Sequence, residues 1–257
     1  MLRLGSGVFV HGYKVEVTPK SDFAYSGLTF GDSQLKESSM IVGRMKQTEP
    51  LTIYEFETCP FCRKVREAVS TLSLTVTFLP CPKNGLYFRQ DIKSKYGPRA
   101  TFPFLRDPNT GVELFESDAI IEYLFKTYAD SPVPPLLSPS NPLVPISAGI
   151  GLIWRGGGTR KAAEPPPLAP VRVWLYEGSP FCKLVREALC ELEIPHTQIS
   201  CPRGSSNRQA MFSDKGRFQV PYLEDPNTDV KLFESDTIVQ YLRKQYGVEE
   251  QIKVKYL

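Results

Sequence analysis

The chain has 257 residues, 41% of them hydrophobic and 23% charged, with a formal net charge of +3. That length suits one or two domains, and that composition suits an ordinary globular protein. So small a positive excess, with no basic stripe interleaved with aromatics, argues against a nucleic-acid binder, and six cysteines in so long a chain argue against a short disulfide-stapled scaffold. A reducing compartment is expected. The two histidines, His11 and His196, lie far from the cysteine motif in sequence, which disfavours a Cys₂His₂ zinc site or a Cys–His hydrolase. The longest apolar run, Pro145 to Trp154, is about half of the ~20 residues a membrane-spanning helix needs. Glu16, Asp22 and Asp32 argue against an acid-poor transit peptide at the N-terminus.

Residues 1–50 form an N-terminal extension in which "VFVHGYKVEV" alternates like a strand. No chemistry is assigned to it. Residues 51–130 read as a first domain. "LTIYEF" is a strand, and Cys59-Pro60-Phe61-Cys62 then opens a helix whose apolar face takes in Phe61, Val65, Ala68, Val69 and Leu72. "TVTFL" closes a β-α-β unit, which requires a right-handed crossover. "PFLRD" and "VELF" flank Pro108-Asn109-Thr110-Gly111, a hairpin signal. Ser117 is the predicted N-cap of a helix that begins at Asp118. Residues 131–170 are a Pro/Gly-rich linker with a short apolar segment, predicted as a small helix docked between the domains.

Residues 171–247 repeat the first domain. Pro60, Phe61, Cys62, Val65, Arg66, Glu67 and Ala68 return 120 positions later as Pro180, Phe181, Cys182, Val185, Arg186, Glu187 and Ala188. Cys81-Pro82 returns as Cys201-Pro202, and "FPFLRDPNTGVELFESDAIIEYL" returns as "VPYLEDPNTDVKLFESDTIVQYL" at a shift of 118. Agreement across separated motifs reads as a tandem duplication. The first cysteine of the motif has become Ser179. Residues 248–257 are a C-terminal tail.

β-α-β, an X-Pro entering a hairpin, and Glu-Ser at a helix start resemble the thioredoxin-like N-terminal domain of glutathione transferases. Cys59-Pro60-Phe61-Cys62 resembles the glutaredoxin dithiol, and the tandem order resembles plant and algal plastid proteins with two such domains. The resemblance implies an α/β fold of two tandem thioredoxin-like domains, each β-α-β then β-β-α, without the transferase C-terminal helical domain. It implies glutathione as cofactor, with protein or low-molecular-weight disulfides as partners, and a chloroplast setting; a cytoplasmic one is the other expectation. The expected function is glutathione-dependent thiol–disulfide exchange. The alternatives are a non-catalytic glutathione-binding or protein-interaction scaffold, a cysteine-type transferase, or an iron–sulfur carrier.

A cysteine at a helix N-terminus faces free N–H groups and the positive end of the helix dipole, which favours the thiolate. Cys59 is therefore the candidate nucleophile, and Cys62, one turn on and above Val65 and Val69, the candidate resolver. Arg63, Lys64 and Arg66 either add positive potential or form a solvated helix face. A packed cysteine pair or half of a zinc site is the competing reading of the motif; no metal ligand set is assigned. By resemblance, Phe102-Pro103 and Val220-Pro221 are cis and present the backbone to the cysteinyl part of glutathione, whereas an ordinary trans proline is the plain alternative. Also by resemblance, Glu116-Ser117 and Glu234-Ser235 hold the γ-glutamyl end, although serine at a helix start is commonly just a cap. Ser179 is expected to bind a glutathione thiolate without redox turnover. Cys81 and Cys201 are either auxiliary thiols or packed strand-end residues.

Overall fold

The structure, a computed structural model, describes residues 8–40, 45–138, 159–162 and 165–247. The apolar linker segment 145–154 and the tail 248–257 lie outside the described residues. The first repeat comprises β4 (Leu51–Glu55), α1 (Pro60–Thr71), β5 (Thr75–Pro80), α2 (Phe88–Tyr96), β6 (Phe104–Asp107), β7 (Val112–Phe115) and α3 (Ser117–Tyr128). The second comprises β8 (Val171–Leu175), α4 (Pro180–Glu191), β9 (His196–Ser200), α5 (Ser206–Lys215), β10 (Tyr222–Asp225), β11 (Val230–Phe233) and α6 (Ser235–Tyr246). Each unit is a mixed α/β fold with one parallel pair, β4–β5 or β8–β9, and an antiparallel hairpin beyond it.

In the first unit, α1 and α3 bury Val65, Val69, Ile120, Ile121 and Leu124 against Leu51, Ile53, Val76 and Phe78 on one sheet face. Ile92 of α2 packs on the other face with Tyr54, Cys81 and Phe104. The second unit divides its core in the same way. Helices α2 and α5 did not emerge from the apolar pattern, because α2 fully buries only Ile92, with Phe88 and Tyr96 partly buried at its two ends, and α5 buries only Arg208 and Met211. Phe61 and its counterpart Phe181 depart from the predicted apolar face. They are exposed, at 51% and 60%, in the first turn of their helices, ahead of the residues that reach the core.

The two units share one eight-stranded sheet, ordered β11-β10-β8-β9-β5-β4-β6-β7. They meet through antiparallel β5 and β9, where Thr77 faces Thr197 and their hydroxyls lie 3.0 Å apart. These residues are 120 positions apart, the repeat shift, so a pseudo-two-fold axis passes between them. Further bonds obey the same symmetry: Glu57 N–H donates to Cys190 Sγ (3.4 Å), and Glu177 N–H donates to Ser70 Oγ (3.1 Å).

A buried ion cluster spans the junction. Arg66 meets Glu177 at 3.1 Å and Glu57 at 3.2 Å, while Arg186 meets Glu57 at 3.2 Å and Glu177 at 3.0 Å. Arg66 also pairs with Glu55. Arg63 lies 3.5 Å from Glu177, and buried Lys64 pairs with Asp118. The basic stretch of α1 is thus neither a solvated face nor a free positive field, since its charges are neutralised by carboxylates from both units.

The extension forms its own antiparallel sheet, ordered β1-β3-β2, from β1 (Tyr13–Pro19), β2 (Thr29–Phe30) and β3 (Ser33–Ser39). Its first residues bridge the two units, meeting the second at Arg203 and the first at Thr71. Val10 N–H donates to Arg203 O, Arg203 N–H donates to Val8 O, and His11 N–H donates to Thr71 O. The end of the linker makes the mirror crossing, with Arg160 N–H bound to Lys83 O and Lys161 N–H to Glu191 O. Lys83 and Arg203, like Thr71 and Glu191, are 120 positions apart, so the two arms are exchanged about the same axis.

Candidate active site at the start of helix α1

Pro60 is the first residue of α1, where its missing N–H costs no helical bond, and this leaves Cys59 as the N-cap. Cys62 N–H donates to Cys59 Sγ at 3.3 Å. The Cys59 thiol is pushed below its ordinary range, first by the hydrogen bond from the Cys62 side chain, then, against partial burial, by the backbone N–H groups of Cys62 and Phe61. Burial pushes the Cys62 thiol well up, and the neighbouring Cys59 adds to that. Of the two sulfurs, Cys59 is therefore the more acidic and sits at the helix end, while Cys62 is the one that keeps its proton. All six cysteines are free thiols.

The peptide bonds Phe102-Pro103 and Val220-Pro221 are both cis. Phe102 O lies 3.8 Å from Cys59 Sγ and accepts from the thiol. Thr101, one residue earlier, donates its hydroxyl to Glu116 Oε1 at 3.4 Å, which brings the start of α3 to the same rim. In the second unit Gln219 donates to Glu234 in the same manner. Helix α3 begins at Ser117 rather than Asp118, and its cap is Glu116 rather than Ser117; α6 likewise begins at Ser235 with Glu234 as cap. The difference arises because Glu116 and Glu234 sit at φ +67° and +69°, a left-handed conformation that places the serine inside the first turn. Neither glutamate side chain caps its helix, and both serines are buried.

Ser179 reproduces the cap geometry of Cys59, since its hydroxyl accepts from Cys182 N–H at 3.2 Å. Burial raises the Cys182 thiol. Cys81 is fully buried among Tyr54, Ile92 and Phe104, and Cys201 among Trp174, Met211 and Tyr222, in the cores on the α2 and α5 faces. Burial raises both thiols, so neither is poised to attack. Asp107 and Asp225 stand at the start of the two hairpin turns. Each buried carboxylate accepts from two tyrosines, Tyr123 and Tyr128 or Tyr241 and Tyr246, and so ties its hairpin to the following helix.

Two residues at this rim escaped the sequence reading. Arg89 donates to Cys81 O and Pro82 O, and its guanidinium lies 5.2 Å from the ring centre of Phe56 and 4.8 Å from that of Phe102. Phe56 and Phe102 are the residues whose carbonyls bond Cys59 N–H and Sγ. Gln90 follows Arg89. The recurrence of Arg-Gln as Arg208-Gln209 was the available signal. Among the described residues, no group of three or more His, Cys, Asp or Glu side chains is placed to hold a metal ion, and no helix is long and apolar enough to cross a membrane.

Residues 53–132 and 175–250 match the family described as glutathione S-transferase, N-terminal domain. Among curated proteins, the glutathione S-transferase-like protein tpcF of Aspergillus fumigatus is 32% identical over 87 residues, covering 34% of this chain and 38% of that protein. Glutathione S-transferase GstB of Escherichia coli is 35% identical over 79 residues, covering 30% of this chain and 38% of its own length. The chain thus spans under two-fifths of each of these relatives. A solved structure of Leishmania TDR1, described as a unique trimeric glutathione transferase, aligns over 78% of this chain and 68% of its own at 15% identity. Its TM-score is 0.29, too low to carry weight for fold or function.

Proposed function

Because the chain belongs to the glutathione S-transferase N-terminal domain family, we propose that it is a tandem of two such domains whose first half carries out glutathione-dependent thiol–disulfide exchange through Cys59. The observation that carries this reading is the asymmetry of the thiol pair: an acidified Cys59 at the helix cap against a buried, proton-holding Cys62. The Cys59 thiolate attacks the glutathione sulfur of a mixed disulfide. That S–S bond breaks, the substrate thiolate leaves and takes up a proton, and Cys59 carries glutathione. A second glutathione thiolate then attacks the bound glutathione sulfur, which releases oxidised glutathione and restores the Cys59 thiolate. Cys62 offers a second route by attacking Cys59 and expelling glutathione, but its raised pKa makes this the slower branch.

In this reading the cis Phe102-Pro103 backbone and the Glu116-Ser117 turn hold the cysteinyl and γ-glutamyl parts of glutathione in the first unit. Val220-Pro221, Glu234-Ser235 and Ser179 do the same in the second without redox turnover, for want of the nucleophile. The family membership supports glutathione as the ligand, and the resemblance alone supports a plastid setting. For the second half a scaffold role is the competing reading, favoured by Ser179 in place of a thiol.

The test is reduction of a glutathionylated peptide, coupled to glutathione recycling. Wild type should turn over, Cys59→Ser should lose at least about 100-fold, and Cys62→Ser should keep most of the rate. A Cys59→Ser protein as active as wild type would overturn the assignment, and an inactive wild type would leave the scaffold.

A further inference from the structure

Helix α5 holds a piece of the extension. Gln209 Nε2 donates to Phe23 O (3.0 Å), and Tyr25 N–H donates to Gln209 Oε1 (2.7 Å), so one amide side chain pairs with the backbone on both sides of Ala24. Arg208 Nη1 donates to Tyr25 Oη at 3.0 Å, and the Tyr25 ring packs edge-on to Phe218 at 4.9 Å. Arg208 is itself fixed by Cys201 O and Pro202 O (3.1 and 3.0 Å) and lies 4.6 Å from the Phe218 ring centre and 5.6 Å from that of Tyr176.

The first unit carries the same device, without an occupant among the described residues. Arg89 is fixed by Cys81 O and Pro82 O at 3.1 and 2.7 Å and stacks on Phe56, the counterpart of Tyr176, and on Phe102. Among the described residues nothing meets Arg89 Nη1 or Gln90 Oε1; Gln90 is exposed and turns its Nε2 back to Gly85 O at 3.2 Å. The reason is topological. The exchanged arms are alike as far as His11 and Lys161, but the hairpin that carries Tyr25 to Arg208 follows only the first of them. After Lys161 the chain reaches β8 in ten residues, too few to supply such a hairpin.

We propose that Arg89 and Gln90 form a docking site for an extended polypeptide from another protein, gripped through its backbone by Gln90 and through a tyrosine hydroxyl by Arg89, beside Cys59. The internal segment at Arg208-Gln209 shows what such a pair holds: a backbone C=O and N–H two residues apart, and the phenol of the second. The phenol ring would lie against Phe102 as Tyr25 lies against Phe218. Lys93 stands where the second unit has Phe212, whose ring centre is 6.4 Å from that of Tyr25, so the partner's flank favours an acidic over an aromatic neighbour. This inference goes beyond the proposed exchange chemistry and does not depend on it.

The test uses the full chain as Cys59→Ser, so that no thiol reaction enters, titrated by NMR to millimolar levels with the capped peptide Ser-Asp-Phe-Ala-Tyr-Ser-Gly. Saturable shifts are expected at the side chains of Arg89 and Gln90. Replacing the peptide tyrosine by phenylalanine should weaken binding about tenfold, the worth of one hydrogen bond from a charged donor. Gln90→Ala, at an exposed position where folding is not at stake, should weaken it several-fold, and Arg89→Lys should lose the tyrosine preference. No shifts, shifts confined to the surroundings of Arg208, or binding indifferent to Gln90→Ala would overturn the proposal, whatever the outcome of the exchange assay.

Discussion

Two side chains set the local chemistry of the first unit, and each makes a pH-dependent statement. Cys59 is acidified chiefly by the Cys62 side chain. The rate of Cys59 alkylation by iodoacetamide should therefore rise with a midpoint below the ordinary thiol range. Cys62→Ala, which removes the donor, should move that midpoint up, and Cys62→Ser should largely preserve it. Glu55 is the weak member of the ion cluster. Burial and the neighbouring Glu57 raise it to about 7 against the pull of Arg66. Glu57, although equally buried, is held down to about 2 by Arg186, Arg66 and Lys183. A carboxyl raised on folding binds more protons folded than unfolded, so Glu55 makes the protein lose stability as pH rises from about 4.5 to about 7. Glu57 acts oppositely: its contribution is full above the unfolded carboxyl range and is lost as pH falls towards 2. Glu55→Gln should abolish the loss between pH 4.5 and 7 and raise Tm at pH 8 relative to wild type. Parallel Tm–pH curves for the two proteins would show that Glu55 is not the titrating group.

At the scale of elements, α1 and α4 are the same helix with different caps. Sulfur and oxygen serve equally as acceptors for the N–H three residues on, at 3.3 and 3.2 Å, so the change to Ser179 preserves the fold while removing the nucleophile. Ser179→Ala should cost about 1 kcal/mol in chemical denaturation, the usual worth of an N-cap. Ser179→Cys in a Cys59→Ser background should create a thiol that alkylates below the ordinary thiol range, because the same Cys182 N–H and helix end await it. A new thiol that reacts only at high pH would mean that the two helix ends differ electrostatically after all.

At the scale of the whole molecule, the chain imitates a symmetric dimer within one polypeptide. Edge strands β5 and β9 would each expose a row of unpaired N–H and C=O groups if alone, and pairing them makes one sheet. The ion cluster adds specificity, since separating the units would take one of three carboxylates from Arg66 and one of two from Arg186, and breaking a buried pair costs about 3–5 kcal/mol. A fragment covering residues 165–257 should therefore not remain monomeric. It should dimerise through β9 with Thr197 facing its own copy, as Thr77 faces Thr197 here, and light scattering after gel filtration would read the mass directly. A stable monomer at micromolar concentration would show that edge and cluster are tolerated unpaired.

The repeat, the β-α-β order, the hairpins, and the placing of Cys59 at a helix start were all legible in the sequence, because they rest on local signals: apolar period, Pro at a first helical position, and turn residues at fixed spacing. The weakly patterned α2 and α5 were not legible, because helices that bury one or two residues carry little periodicity. Nor was the fate of Arg66, which has the same place in the repeat as Arg186 and looks like any basic residue on a helix. Its burial follows from the meeting of β5 with β9, a contact between residues 120 positions apart that no local pattern encodes. The extension matched neither repeat because its role is complementary. It occupies with Tyr25 a position on the second unit whose counterpart on the first has no partner among the described residues, and only the tertiary structure, by folding residue 25 onto residue 208, makes that difference between the halves visible.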